Sequence, residues 1–192
     1  MEFVELVRKN RSYRGYNENR PVTREELTRL VECARLCPSS VNAQPLKYRL
    51  VWQKEEVARL QEKTNWAKAL TSITLPHPGM CPTAFIVICQ DTGIDASLQR
   101  YQKDVGIVAQ TMLLGAVEMG LGGCMIGNFN AGEVRQVLAL PEAMAPLLVV
   151  AIGEPAETVV LTEVGPDGSV QYYRDENDVH YVPKRTLEDI LI

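Results

Sequence analysis

Three stretches of this chain carry side chains suited to holding a polar, planar, anionic ligand. The first is Arg11-Ser12-Tyr13-Arg14. Guanidinium forks match phosphate oxygens two at a time, and a serine hydroxyl adds a short hydrogen bond. The second is Pro38-Ser39-Ser40-Val41-Asn42-Ala43-Gln44-Pro45. Its terminal prolines fix φ and remove donors, and two hydroxyls and two amides lie between them. Such a loop suits a planar group that needs several fixed contacts. It equally suits a rigid helix-to-strand connection whose side chains bond only their own backbone. The third is Lys184-Arg185, a pair able to add phosphate charge or to sit at a rim with no ligand.

Other chemistries find little support. The histidines, His77 and His180, are isolated, so no acid–base dyad suggests itself. Cys33 and Cys37 lie four apart on an expected helix, but no second ligand pair accompanies them, and a closed zinc site needs four. No metal site is expected. The five cysteines are odd in number in a chain that is not small, which argues for buried thiols in a reducing cytoplasm rather than a disulfide framework. Lys plus Arg is 20 against 24 for Asp plus Glu, a net charge of −4, so no basic field for nucleic acid is expected. The longest apolar runs, near Phe85–Cys89 and Leu147–Ile152, are too short to span a bilayer, and the acidic start Met1-Glu2-Phe3-Val4-Glu5 does not read as a secretory signal.

The 192 residues fit one domain, with residues 158–192 as a charged C-terminal arm. Residues 2–9 place Phe3, Leu6 and Val7 on one helical face. Thr23-Arg24-Glu25-Glu26 reads as a capping box for a helix that must stop before Pro38. Leu46, Tyr48, Leu50 and Trp52 alternate with Lys47, Arg49, Val51 and Gln53, as a strand with one buried face does. Glu55–Lys63 reads as a short helix, and residues 71–83, with three prolines and a glycine, as an irregular loop. Phe85-Ile86-Val87-Ile88-Cys89 is apolar on both faces and predicts a central strand. Residues 98–119 give the longest helix, nearly apolar from Val105 onward, with Gly106, Gly115 and Ala116 leaving room for a neighbour. Gly120-Leu121-Gly122-Gly123 ends it. Cys124–Ile126 reads as a strand, Asn130 to Leu138 as a capped helix and Leu147–Ile152 as a core strand. The arm shows alternating runs at Val159–Val164 and Val170–Tyr173 around a Gly165-Pro166-Asp167-Gly168 turn, then a short helix after Arg185.

With these segments in this order the chain resembles the FMN-dependent nitroreductase family, of the small type. The segments are Arg11–Arg14, Pro38–Pro45, Gly120-Leu121-Gly122-Gly123-Cys124-Met125-Ile126-Gly127 and Val182-Pro183-Lys184-Arg185. The Pro-Ser-Ser-x-Asn-x-Gln-Pro string is the most specific of them, and the likeness runs from residue 3 to 192. The resemblance implies an α+β sandwich around a mixed central sheet flanked by helices, built as an intertwined homodimer with FMN at the subunit interface. By position, Arg11 and Ser12 match phosphate and ribityl contacts, and Arg14 matches the cation near flavin N1 and O2. Pro38, Ser39, Ser40 and Asn42 match a loop supplied by the partner subunit. Gly127 and Asn128 match backbone facing flavin N5 and O4, Lys184 and Arg185 match phosphate cations, and Asn65 with Lys68 echo an Asn-x-x-Lys pair that reaches the ring. Two positions depart from the pattern: Asn10 stands where many members have a further arginine, and Asn128 where a second glycine is usual.

The resemblance also implies an activity: hydride from NADH or NADPH to flavin, then ping-pong reduction of a nitroaromatic, a quinone or a similar small acceptor. No side chain is then catalytic in the acid–base sense, with Arg14 tuning the cofactor. Two other outcomes fit the same resemblance. One is a specialised flavin reaction, reductive dehalogenation or flavin fragmentation, with residues 64–83 as a lid. The other is a flavin-binding protein without turnover.

Overall fold

The computed structural model describes residues 1–67, 70 and 73–192. Lys68 lies outside the described residues, so its expected pairing with Asn65 is not placed. The helices are α1 (Phe3–Lys9), α2 (Arg24–Arg35), α3 (Lys54–Gln61), α4 (Gln102–Glu118) and α5 (Ala131–Val137). The strands are β1 (Leu46–Val51), β2 (Ala84–Asp91), β3 (Gly122–Ile126), β4 (Met144–Gly153), β5 (Val159–Glu163), β6 (Tyr173–Arg174) and β7 (His180–Lys184).

The apolar run at Phe85–Cys89 dictates the centre. β2 is buried at every position but the last and is interior to a four-stranded sheet of order β1-β2-β4-β3. Phe85 stands opposite both Val51 and Ala151, so β2 is hydrogen-bonded on both edges. A strand buried on both faces needs apolar partners on both. Ile86, Ile88, Val150 and Ile152 face α2 and α4 through Leu27, Leu30, Met112 and Leu113. Phe85, Val87, Val149 and Ala151 face the other way, onto Tyr16, Leu60 and Val134. The result is helix, sheet and helix in three layers, the α+β sandwich expected.

The four central strands pair antiparallel throughout. The parallel component expected of this sheet is confined to one bridge at its edge, Ser12 to Gly123. A second sheet of order β5-β7-β6 is mixed, with β5 parallel and β6 antiparallel to β7.

Local signals account for some helix ends. The Thr23 side chain accepts from the Glu26 N–H, and the Thr23 N–H donates to the Glu26 carboxylate, closing the capping box. Gly120 ends the α4 region with φ +73, a left-handed conformation that glycine adopts without a Cβ penalty. α4 carries two interior glycines, each costing about 1 kcal/mol relative to alanine. Burial of Val105, Val108, Met112, Leu113 and Val117 outweighs that, at about 1.5–3 kcal/mol for each large side chain. Gly115 also earns its place: a Cβ there would lie 3.3 Å from Leu30 Cδ2, so α2 packs against α4 at that residue. Gly106, by contrast, opens on free space, with Ile107 exposed beside it.

Some expected elements are shorter or absent. Only Tyr173 of the Val170–Tyr173 run enters a strand, since β6 is two residues long. The segment after Arg185 makes a single turn, closed by Thr186 and Asp189, rather than a helix. On α1, Phe3 and Val7 share a face but remain exposed.

Candidate functional site

A strap from Asn10 to Tyr16 lies along the outer edge of β3. The Tyr13 N–H donates to Gly123 O at 3.1 Å, and Tyr16, fully buried, donates its hydroxyl to Tyr13 O at 2.6 Å. Close packing fixes its height. A Cβ at Gly153 would meet Tyr16 Cδ1 at 2.7 Å, and one at Gly122 would meet Pro155 Cγ at 2.8 Å. Arg11 Nη2 donates to Val7 O at 2.8 Å, and Arg14 Nη1 to Ser12 O at 3.3 Å, so both guanidiniums are held from one side. The Arg14 N–H donates to the Glu157 carboxylate, which also pairs with buried Arg174. The C-terminal sheet is thereby fastened to the strap.

These residues border two cavities that share Arg14 and Tyr172 and so form one cleft. The first, about 300 Å³, is lined by Arg11, Ser12, Arg14, Tyr172, His180 and Lys184 among others. The second, about 230 Å³, is lined by Arg14, Asn65, Trp66, Cys124, Gly127 and Asn128 among others. The Arg14 guanidinium stands 5.2 Å from the Tyr172 ring centre, a cation–π contact at the junction. Asn65 joins the second cavity because its N–H and its Nδ2 both donate to Asn128 O, at 3.0 and 3.3 Å.

The cleft is cationic at one end. Burial lowers the Arg11 pKa from its ordinary value, and a guanidinium in a protein stays charged. Burial pushes the Cys124 thiol up, so the cysteine in the second cavity is not a ready thiolate nucleophile. Several buried nitrogens facing this region have no hydrogen-bond partner among the described residues: Arg11 Nε, Arg14 Nε, Asn128 Nδ2 and both nitrogens of His180. Buried polar groups of this kind are rarely left unmet. Gly127 faces open space, with no atom within 4 Å of where a Cβ would be. Cations and unmet donors at one end, and a bare backbone with apolar walls at the other, fit a flat heterocycle with a phosphate tail.

Of the residues expected from the sequence, Arg11, Ser12, Arg14, Asn65, Gly127, Asn128 and Lys184 border this cleft. Arg185 does not: it is exposed and acts on Asp189, whose pKa its charge helps to lower. Pro38, Ser39, Ser40 and Asn42 do not line the cleft either. Pro38 and Ser39 border a separate groove with Thr28, Tyr48 and Asp104. Asp104, buried in α4, accepts from the Ser39 hydroxyl at 2.7 Å and the Ser40 N–H at 3.0 Å. Val41, Asn42 and Gln44 all have positive φ, at 48, 53 and 50. For β-branched Val41, which is exposed, that is a strained conformation held by its surroundings. His180, Tyr172, Asp104 and Glu157 are contributors that the sequence did not single out. Their partners lie far along the chain, and only the fold brings them together.

Residues 7–154 match the model of the Nitroreductase family, and the chain belongs to that family. It is 27% identical over 165 residues to a putative NADH dehydrogenase/NAD(P)H nitroreductase of Methanothermobacter thermautotrophicus, covering 82% of this chain and 79% of that one. It is 27% identical to an FMN reductase [NAD(P)H] of Bacillus subtilis, covering 81% of this chain and 67% of that one. A crystal structure of a nitroreductase family protein from Clostridium difficile 630 superposes with TM-score 0.66 at 26% identity, covering 82% of this chain and 86% of that one.

Proposed function

We propose that this chain is an FMN-dependent oxidoreductase that takes reducing equivalents from NADH or NADPH and delivers them to a small acceptor such as a nitroaromatic or a quinone. The observation that carries the reading is a pair of adjoining cavities that both touch Arg14, one lined by Arg11, Ser12 and Lys184 and the other by Asn65, Gly127 and Asn128. Its family membership and the NAD(P)H-linked names of its relatives support the same reading. When bound, FMN supplies the two-electron chemistry.

The chain's own residues do the rest. Arg11, Ser12 and Lys184 hold the phosphate tail by charge and hydrogen bonds. With FMN bound, Arg14 would offer positive charge to stabilise the reduced, anionic cofactor, in a partly dry site where charge is weakly screened. The bare backbone at Gly127 permits close approach, and the Asn128 amide offers an unmet donor. Burial pushes the Cys124 thiol up and so keeps it protonated.

A homodimer completes the proposal. The strained, exposed Pro38–Asn42 loop, with the exposed apolar side chains of Phe3, Val4, Val7 and Ile107, supports a second copy packing here and lending its loop to the cleft. A cytoplasmic, soluble enzyme is the setting that fits; no helix among the described residues is long and apolar enough to cross a membrane.

Reconstitution tests the reading. Apoprotein mixed with FMN should retain a yellow flavin through gel filtration at the mass of a dimer, and anaerobic NADH or NADPH should bleach it rapidly. An acceptor panel then ranks nitroaromatics against quinones. Protein that cannot retain FMN, or retains it and resists both nicotinamides, would overturn the assignment.

A further inference from the structure

His180 begins β7 and is only 2% exposed, yet neither ring nitrogen has a hydrogen-bond partner among the described residues. Its backbone is fixed, the N–H donating to Thr158 O at 2.9 Å. Its ring is fixed as well, edge-on to Tyr172 at 5.4 Å. The ring borders the same cavity as Arg11, Ser12 and Lys184. An imidazole buried without partners forfeits its hydration, so a side chain held this firmly implies a ligand that satisfies it.

The surroundings select which ligand. Burial opposes protonation most, the charges of Arg14 and Arg174 add to the opposition, and Asp178 favours protonation. Arg11 and Lys184 border the same space. The imidazole is therefore neutral at pH 7, with one N–H to donate and one lone pair to accept. Three cationic side chains around one cavity attract an anion, and a neutral N–H can bond an anionic oxygen without adding charge. From these observations we propose that His180 donates a hydrogen bond to the phosphate-bearing end of the flavin, as a binding residue beside Arg11, Ser12 and Lys184. The proposal rests on the FMN reading above.

Two flavins separate the alternatives. Apoprotein is titrated with FMN and with riboflavin, which lacks the phosphate, following quenching of flavin fluorescence. His180→Phe keeps the ring volume and removes both nitrogens; His180→Gln keeps a donor. Thermal unfolding of each variant reports whether it is folded. His180→Phe should weaken FMN binding about tenfold, as expected for one lost bond to a charged group, and leave riboflavin within about twofold. His180→Gln should recover part of the loss, and the 31P resonance of bound FMN should differ between wild type and His180→Phe. If wild type binds FMN and His180→Phe binds it equally well with an unchanged 31P resonance, the role of His180 is refuted while the FMN reading stands. Equal losses for both flavins refute the phosphate assignment. Wild-type protein that binds neither flavin removes the FMN reading itself.

Discussion

The Asp104 carboxylate, buried at the start of α4, accepts a hydrogen bond from the Ser39 hydroxyl at 2.7 Å. The same hydroxyl accepts from the Gln44 N–H at 3.1 Å, and the other carboxylate bond comes from the Ser40 N–H. One buried acid thus ties both ends of a loop that holds three non-glycine residues at positive φ. Asp104→Ala should remove two charge-assisted bonds and cost about 1–3 kcal/mol of stability, while Asp104→Asn should cost less. If the loop serves the flavin of a second subunit, FMN affinity should fall as well. Urea unfolding and FMN titration measure the two effects separately.

Acid should act on this protein in two windows. Burial, then the charges of Arg14 and Arg174, hold the His180 imidazole down to about 4 from an ordinary 6.5. The unfolded chain takes up that proton first, so stability from this group is complete above pH 6.5 and is lost as pH falls towards about 4. The loss is on the order of 3 kcal/mol. The Arg20 side chain, with help from Thr23, holds Glu26 down to about 2 from 4.5, so a second loss runs from pH 4.5 to about 2. Urea midpoints of the apoprotein across pH 3–8 should show both slopes, and His180→Phe should flatten only the upper one.

Glu157 and Arg174 form a pair whose side chains are 2% and 5% exposed, and Glu157 also receives the Arg14 N–H. Removing Glu157 leaves the buried guanidinium of Arg174 with Asp178 as its one carboxylate, and removing Arg174 leaves the buried Glu157 carboxylate with the Arg14 N–H. Glu157→Leu alone or Arg174→Met alone should therefore cost about 3–5 kcal/mol, and the double variant much less than the sum. Glu157→Leu should also loosen the strap at Arg14 and weaken FMN binding, whereas a pair that served stability alone would leave affinity in the refolded double variant unchanged. Denaturant unfolding of the four proteins of the cycle reads the coupling.

How much of this was legible beforehand follows from the range of each interaction. The capping box at Thr23 and Glu26, the stop before Pro38 and the two-faced strand at Phe85–Cys89 are local patterns, and each appears where the sequence puts it. The strap arginines were visible as residue types next to one another. Asp104 beneath Ser39, Glu157 beneath Arg14 and His180 beside Arg11 join positions 65, 143 and 169 residues apart, and no local period reports such pairings. His180 read as an isolated histidine for that reason. The Val170–Tyr173 run misled in the opposite way: its alternation is real, but β7 pairs with only its last residue, Tyr173, and with Arg174 after it. Arg185 sits one residue past the last strand, and the turn carries it towards Asp189 instead of the cleft.

Two glycines, Gly123 inside β3 and Gly127 just past its end, should respond to the same substitution in opposite ways. At Gly123 a Cβ would strike the carbonyl oxygen of Ala151 in the paired strand and stand 2.6 Å from Leu113 Cδ2. Backbone on one side and core on the other cannot yield, so Gly123→Ala should be severely destabilising and expressed mainly as misfolded protein. At Gly127 a Cβ meets nothing within 4 Å, so Gly127→Ala should leave thermal stability within about ±0.5 kcal/mol of wild type. The added methyl nonetheless projects where the cleft bares its backbone. Gly127→Ala should therefore lower flavin affinity in a protein that is otherwise intact. Melting temperature and FMN titration on the purified variant check both halves, and unchanged affinity would remove Gly127 from the cofactor wall.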